Sequence, residues 1–224
     1  MLAPMATQKA EETRNRILDA ALRLFRERGF EQTTMRDVAA EAEVATGAAY
    51  YYYRSKEDLV LAFYLRTEEE AAETFTRIIA STKDLRKRIR GIIDAKFEQF
   101  SDHRMLLTAL LTTGVDPRNP LSPFSPETEA VRDAHIAWYA RALDGADVKV
   151  SRELAPHLPR LLWLYHMGLI YYWIIDESPK QRRTQRLLDA TLDLVVQLLR
   201  AASLPFMAPL RKRVLKVLRA VEED

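Results

Sequence analysis

The sequence predicts an all-α protein in which a small N-terminal domain of three helices precedes a larger helical domain. Apolar residues recur with the 3.6-residue period of a helix along almost all of the 224 residues, and no segment shows the apolar–polar alternation of a half-buried strand. Glycine is scarce, at six residues, and most of the ten prolines lie at or near breaks between the periodic segments. These observations favour a helical protein over any fold built on a sheet.

The first predicted helix covers about residues 13–28. Its apolar residues Ile17, Leu24 and Phe25 fall on one face, and Gly29 directly after it is a typical C-terminal stop. The sequence therefore predicts both the buried face of this helix and the position where it ends.

Two short helices follow, at about 35–42 and 46–52. Thr34 precedes the first of them and Asp37 stands three residues further on, a spacing in which the threonine hydroxyl accepts a backbone N–H at the helix start. Small side chains at the crossing of these two helices let their backbones approach closely, as in a helix-turn-helix. The second helix, short and rich in small residues followed by aromatic ones, suits insertion into a DNA major groove about 12 Å wide.

The rest of the chain predicts further helices joined by short connections. They lie at about 55–82, 84–101, 104–113, 126–144, 156–176, 180–203 and 207–222. Residues 116–126 hold four prolines, a density that no helix tolerates, so we expect a loop there.

Composition narrows the class of protein. A hydrophobic content of 48% and a charged content of 29% are typical of a soluble globular chain. The sequence has no cysteine, which excludes disulfides and thiolate metal sites, and residues 1–16 lack the apolar stretch of a signal peptide. The most apolar stretch, 161–175, is shorter than the roughly 20 residues that cross a bilayer. We therefore expect a cytoplasmic protein with no membrane partner.

Charge by itself gives no support to nucleic-acid binding. The formal net charge is only +2, and residues 1–59 hold nine lysines and arginines against ten acids. Within 44–56, however, the only charged residues are Arg54 and Lys56, so a local positive surface is expected there.

In its N-terminal quarter the sequence resembles the TetR family of repressors. The matching positions, in order, are Phe25, Gly29, Phe30, Thr33, Thr34, Val38, Ala39, Val44, Gly47, Tyr50, Tyr53, Ser55, Lys56, Glu57, Asp58 and Leu59. The resemblance covers about residues 10–63, and the body matches the family only in being helical and of suitable length. It implies a helix-turn-helix DNA-binding domain at 1–54, a helical effector-binding and dimerisation domain at 55–204, and a C-terminal amphipathic helix at 205–224.

The resemblance also implies nine residues that contact a double-stranded DNA operator. They are Thr34, Arg36, Thr46, Gly47, Ala48, Tyr50, Tyr51, Tyr52 and Lys56. Arg36 would reach a base or a phosphate, and Gly47 would leave the helix backbone bare where it nears DNA. Thr34 and Thr46 would offer hydroxyls to phosphate, and Lys56 would attract a phosphate at the start of a helix.

Each of these roles has a structural alternative. Four consecutive tyrosines cannot all be buried in one helix, because successive residues turn by about 100°. Tyr53 is then the expected core residue, and Tyr50 either packs or binds phosphate. Arg36 either contacts DNA or pairs with a neighbouring acid, and Lys56 is either a phosphate ligand or merely solvated.

Two residues depart from the family's pattern. Glu43 stands where the family prefers glycine in the turn, and a non-glycine residue in the left-handed conformation costs about 1–2 kcal/mol. Ala45 replaces the usual serine at the start of the third helix, which loses about 1 kcal/mol of capping unless Thr46 takes over.

The resemblance implies a homodimer built by the helices near 156–176 and 180–203. Residues 158–175 are apolar on nearly every side, more than one core usually needs. The next helix carries an apolar stripe formed by Leu187, Leu188, Thr191, Leu194, Val195, Leu198 and Leu199. The alternative is the ordinary core of a monomer.

The family also implies a cavity for a small-molecule effector within the body. The candidate lining residues are Phe97, Phe100, His135, Trp138, Tyr139 and Tyr165. His135 and Tyr139, one turn apart, share a helix face as polar groups among apolar ones, and such a cavity would take an apolar or aromatic ligand. The alternative is that these aromatic residues are simply core.

The tail at 207–222 is amphipathic, with five apolar residues on one face. They are Leu210, Val214, Val217, Leu218 and Val221. Such a helix either lies on a membrane surface or, as we expect, packs on the body or on a partner.

The familiar enzymatic motifs are missing from the sequence. No Glu-x-x-His pair of a di-iron bundle is present, and the six glycines stand too far apart for a phosphate-cradling loop. We therefore expect no catalytic residue, metal or cofactor. The sequence predicts a TetR-like transcriptional regulator, a repressor released from a palindromic operator by its ligand. The alternative is a helical interaction or ligand-binding module without sequence-specific DNA binding.

Overall fold

Helices form nearly all the regular structure of this chain. The computed structural model describes residues 3–111, 114 and 116–222, and within these residues no β-strand is found. The prediction of an all-α protein is therefore confirmed.

The α-helices follow the predicted order. They are α1 (Ala3–Arg28), α2 (Met35–Glu41), α3 (Thr46–Tyr52), α4 (Lys56–Ser81), α5 (Leu85–Phe100), α6 (Arg104–Leu111), α7 (Glu129–Leu143), α8 (Leu158–Ile175), α9 (Arg182–Ala202) and α10 (Ala208–Glu222). Short 3₁₀ turns stand at Ser101–His103, Pro126–Thr128, Pro179–Gln181 and Pro205–Met207. Residues 112 and 113, at the end of the predicted 104–113 helix, lie outside the described residues.

Helix α1 begins at Ala3, well before the predicted start at Thr13, and this prediction was wrong. The cause is local, because most residues between Met5 and Glu12 are good helix formers. Pro4 stands in the first turn, where its missing N–H would have no helical partner in any case.

The first three helices share one small core. Ile17 and Phe25 of α1, Val38 of α2 and Ala49 of α3 are all fully buried. The start of α2 is fixed by a capping box, since the backbone N–H of Asp37 donates to Oγ1 of Thr34 at 3.2 Å and the backbone N–H of Thr34 donates to Oδ2 of Asp37 at 2.9 Å. The predicted cap is therefore confirmed.

Contacts within the chain form two compact groups. Residues 1–69 group with 99–132, and residues 70–98 group with 133–224. The division into domains 1–54, 55–204 and 205–224 stays a prediction.

Within the second group, charged residues join α5 to its neighbours. Arg88 is buried, and its guanidinium donates to the carbonyls of Thr82 at 2.6 Å, Ala142 at 3.0 Å and Asp144 at 2.6 Å. These carbonyls lie just after α4 and at the end of α7, where helices leave carbonyl groups without partners. Arg90 binds Asp189 of α9.

Helix α10 packs on the body through a different face from the one predicted. Leu215 is buried against Leu154 and Leu158, whereas Leu210 and Val217 are 51% and 63% exposed. Val221 lies outside the described side chains. None of the helices in the described part of the chain has the length and the apolar run needed to cross a membrane.

The turn between α8 and α9 depends on one buried carboxylate. Asp176 accepts hydrogen bonds from the backbone N–H of Ser178 at 2.9 Å, from that of Thr184 at 2.8 Å and from the Thr184 hydroxyl at 2.8 Å. Burial acts to raise the pKa of Asp176, but the hydrogen bonds from Ser178 and Thr184 outweigh it and hold the pKa well below its usual value.

We expect Asp176→Asn to lower the free energy of unfolding by about 1–3 kcal/mol at neutral pH, because charge-assisted hydrogen bonds are lost. Since the native pKa is depressed, the contribution is present at neutral pH and disappears as the pH falls below about 4. Urea unfolding at pH 7 measures the loss. The control is Glu177→Gln at the exposed neighbouring acid. Equal stability of Asp176→Asn and the wild type would contradict the assignment.

Candidate functional site

The turn between α2 and α3 has the strained conformation that its sequence predicts. Glu43 has φ of +53°, in the left-handed region where glycine is favoured. The backbone N–H of Val44 donates to the Ala39 carbonyl at 3.0 Å and so closes the turn. Ala45 precedes α3 without any side-chain capping bond, and Thr46 does not replace it. Both predicted departures are therefore present in the structure.

The predicted DNA-contact residues lie on and around the short helix α3, and most of them are open to solvent. The exposed ones are Thr34, Arg36, Thr46, Gly47, Tyr50 and Tyr51, and the half-buried ones are Ala48, Tyr52 and Lys56. Tyr51 is 83% exposed, whereas Tyr53 is 3% exposed and belongs to the core. The Tyr51 ring meets that of Tyr52 edge-on, with 5.2 Å between the centroids, and most of its surface remains open to solvent.

Two polar residues of this surface, Arg36 and Thr34, differ in the hydrogen bonds that their side chains form. The described residues offer Arg36 neither a hydrogen bond nor an ion pair, and its charge, after the hydrogen bonds from Thr34, contributes weakly to the lowered pKa of the neighbouring Asp37. The Thr34 hydroxyl donates to Oδ2 of Asp37 at 2.5 Å while it accepts from the Asp37 backbone. A phosphate contact by Thr34 would therefore compete with its capping role.

Lys56 is not merely solvated. Its Nζ donates to the carbonyl of Phe30 at 2.7 Å and lies 4.4 Å from the centroid of the Phe30 ring. This contact ties the start of α4 to the segment that follows α1. The local sequence could not predict this contact between Lys56 and Phe30, because a whole helix-turn-helix separates the two residues.

Several of the predicted effector-site residues meet inside the second contact group. The Tyr139 hydroxyl lies 2.8 Å and His135 Nε2 lies 3.0 Å from Nδ1 of His166. All three side chains are buried. The Phe97 ring lies beside them and stacks on Trp173 with 5.5 Å between the ring centroids. We call His135, Tyr139 and His166 the buried polar cluster.

The other candidates have different neighbours. The Tyr165 hydroxyl forms a 2.7 Å hydrogen bond with that of Thr191 in α9. The Phe100 ring lies 6.3 Å from that of Phe63. Trp138 packs edge-on against Phe75 at 5.3 Å, with the Arg141 guanidinium 4.2 Å from the Trp138 ring centroid. The lining of one effector cavity by all six candidates stays a prediction.

His166 is the residue that sequence reasoning missed. It stands in the most apolar stretch of the chain, where the sequence predicts only that a single histidine belongs to the core. Its Nε2 is buried and has no hydrogen-bond partner among the described residues. Burial above all, then His135 and Lys96 nearby, lowers the pKa of His166 well below its usual value, so the ring is neutral at pH 7.

Because native His166 resists protonation, we expect the free energy of unfolding to fall as the pH drops below about 6.5, by up to about 1.4 kcal/mol per pH unit. The unfolded chain takes up a proton in this range that the native site excludes. Urea unfolding at pH 7.5 and 5.5 measures the slope. His166→Gln should reduce it. An unchanged slope in His166→Gln would contradict the assignment.

The connection between α8 and α9 borders a surface concavity. This concavity occupies about 450 Å³ between the end of α8 and the start of α9, and three arginines are among its lining residues: Arg182, Arg183 and Arg186. None of the six candidates lines it.

The chain matches two family models. Residues 17–63 match the tetR family of bacterial regulatory proteins, and residues 88–214 match the tetracyclin repressor-like C-terminal domain. The second match by itself covers more than half of the chain.

Curated relatives match part of their own length. The chain is 32% identical over 111 residues to the uncharacterised HTH-type transcriptional regulator YerO of Bacillus subtilis, covering 48% of this chain and 38% of YerO. It is 31% identical over 120 residues to the HTH-type transcriptional regulator UidR of Escherichia coli, covering 54% of this chain and 59% of UidR. In both cases the match spans less than two thirds of the relative.

Among solved structures, the transcriptional regulator FadR from Bacillus subtilis, in complex with stearoyl-CoA, aligns with a TM-score of 0.61. Its sequence identity is 17%, and the alignment covers 81% of this chain and 96% of that one. This likeness shows a common fold.

Proposed function

We propose, from the premise that this chain belongs to the tetR family of bacterial regulatory proteins, that it is a transcriptional repressor. It binds a palindromic DNA operator as a homodimer and leaves the operator when a small molecule binds the body. The site of action is chromosomal DNA, so the proposed location is the cytoplasm. No catalytic step is assigned to the chain.

The exposed face of α3 carries this proposal. Tyr50 and Tyr51 stand open to solvent beside Gly47, and the exposed Arg36 makes no hydrogen bond or ion pair with the described residues. The tyrosine hydroxyls and the guanidinium can donate hydrogen bonds to phosphates and to base edges in a major groove. The missing side chain of Gly47 lets the helix backbone approach DNA closely.

Two exposed apolar stripes support a homodimer through α8 and α9. On α8, Leu164 and Ile175 are 40% and 60% exposed, and on α9 Leu194 and Leu198 are 54% and 58% exposed. Gly168 lies between the two α8 residues, and a Cβ built there would meet nothing within 4 Å. The packing of one subunit therefore does not require this glycine, whereas close approach of a partner helix would. Two subunits would place two α3 helices on successive major-groove faces.

An apolar or aromatic effector is proposed for the region of the buried polar cluster. Polar atoms convergent among buried aromatic rings are typical of small-molecule sites. The fold relative from Bacillus subtilis was solved with stearoyl-CoA, and acyl compounds are therefore one class to test.

Selection of bound sequences from a random DNA pool tests the proposed function. We expect a palindromic consensus, and binding that weakens as the salt concentration rises, because bound cations are released from the phosphates. A folded protein that prefers no duplex over bulk competitor would contradict the proposal. It would favour an interaction or ligand-binding module without sequence-specific DNA binding.

Tyr51→Ala should weaken operator binding roughly tenfold, the scale of one lost groove contact, without changing the melting temperature. The ring is 83% exposed, so its removal leaves no cavity in the fold. Fluorescence anisotropy with the selected operator measures the affinity, and circular dichroism measures melting. Unaltered binding together with a lower melting temperature would show that Tyr51 is a structural residue.

A further inference from the structure

We propose that Nε2 of His166 recognises the effector by donating a hydrogen bond to its carbonyl oxygen, an inference that rests on the proposed effector binding. The ligand class is an apolar or aromatic molecule with one buried carbonyl acceptor. The atom that carries this inference belongs to a residue with no exposed surface and has no hydrogen-bond partner among the described residues.

The two nitrogens of the His166 ring have opposite surroundings. Nδ1 has two polar neighbours, the Tyr139 hydroxyl at 2.8 Å and His135 Nε2 at 3.0 Å. Nε2, on the other side of the ring, has none among the described residues. Whatever satisfies Nε2 must therefore come from outside this part of the chain.

The proposed donor requires that the single ring proton of His166 lies on Nε2. The ring is neutral, because burial, His135 and Lys96 all lower its pKa, and a neutral imidazole carries one proton. In the proposed arrangement the Tyr139 hydroxyl donates its proton to Nδ1, which lies 2.8 Å away. When Nδ1 accepts this bond, the single ring proton lies on Nε2. His166 then presents a buried N–H donor that lacks an acceptor.

An unsatisfied buried donor is rare in native proteins, and it needs either a ligand or an ordered water. The rings around His166 favour a ligand that is largely apolar, since Phe97 lies edge-on to the imidazole at 6.3 Å and stacks on Trp173. A carbonyl oxygen satisfies the N–H while the rest of the molecule contacts the rings. A ligand of the same shape without this oxygen would leave the donor unpaired.

Two probes of nearly the same shape test the proposal on the full-length protein. Acetophenone has a carbonyl where α-methylstyrene has a methylene group. We expect acetophenone to bind roughly tenfold more tightly, as sites with a buried donor discriminate against ligands that lack the acceptor. Nitrogen-15 NMR of the histidine rings should show the proton of His166 on Nε2 and a shift of that signal when acetophenone is added.

Two variants of His166 provide a matched pair. His166→Gln keeps an N–H near the position of Nε2 and should preserve the preference for acetophenone. His166→Asn reaches only the position of Nδ1 and should abolish the preference. Thermal melting establishes that both variants are folded, and the NMR measurement on the wild type does not depend on either.

Three results would overturn the proposal. The ring proton of His166 could lie on Nδ1, or the two probes could bind equally or not at all. The Nε2–H group could also be hydrogen-bonded to a buried water, so that its NMR signal does not shift when acetophenone is added. Each of these leaves operator binding intact, because the DNA selection is carried out without ligand. Failure of the DNA selection with a normal acetophenone response would instead contradict the repressor function.

Discussion

Gly47→Glu is expected to reduce operator binding at least a hundredfold while leaving the fold intact. Gly47 is exposed near the start of α3, and a Cβ built there would meet nothing within 4 Å. The subunit therefore tolerates a side chain, and loss of a helical glycine stabilises by about 0.5–1 kcal/mol. On DNA, however, the same side chain would place bulk and negative charge against the groove and its phosphates.

Fluorescence anisotropy with the selected operator and thermal melting together separate these effects. Gly47→Ala should bind with an intermediate affinity, because it adds bulk without charge. Ala130→Glu places the same charge at an exposed position of α7 and should bind like the wild type. Wild-type affinity in Gly47→Glu would mean that this face of α3 does not meet DNA.

The double variant Leu194→Glu and Leu198→Glu is expected to be monomeric and to bind the operator at least a hundredfold more weakly. Both leucines are more than half exposed on α9, so charges there should not disturb the core of one subunit. In a dimer they would desolvate two carboxylates of each chain against apolar surface. A monomer also has one helix-turn-helix domain instead of two linked ones, and such linkage raises affinity by about 10²–10⁴-fold.

Analytical ultracentrifugation measures the assembly state, and anisotropy measures the affinity. Ala140→Glu on the exposed side of α7 is the control for added charge. A double variant that remains dimeric would show that the subunits associate through another surface.

Local sequence signals predicted local structure well. The helix at 46–52 was predicted with the bounds that the structure has, and the Thr34–Asp37 cap and the turn at Glu43 were also confirmed. Each depends on residues within a few positions of one another. The family model matched to residues 17–63 agrees with the resemblance drawn from the same stretch.

Features that depend on distant residues were predicted poorly. His166 meets His135 and Tyr139 across 31 and 27 positions of sequence, and no local pattern marks such a meeting. The period of the apolar residues predicts that a helix has an apolar face. It does not predict which part of the helix surface a neighbouring helix covers. For this reason the buried side of α10 and the different neighbours of Tyr165 were not foreseen.

Helices α2 and α3 differ in their resistance to local opening. Helix α2 begins with a reciprocal cap, whereas α3 has seven residues, no side-chain cap and a strained residue just before it at Glu43. Amide hydrogens of α3 should therefore exchange with solvent faster than those of α2, because its opening costs less free energy. If DNA binds α3 as proposed, the complex should slow this exchange. Part of the free energy of binding would then go into ordering α3.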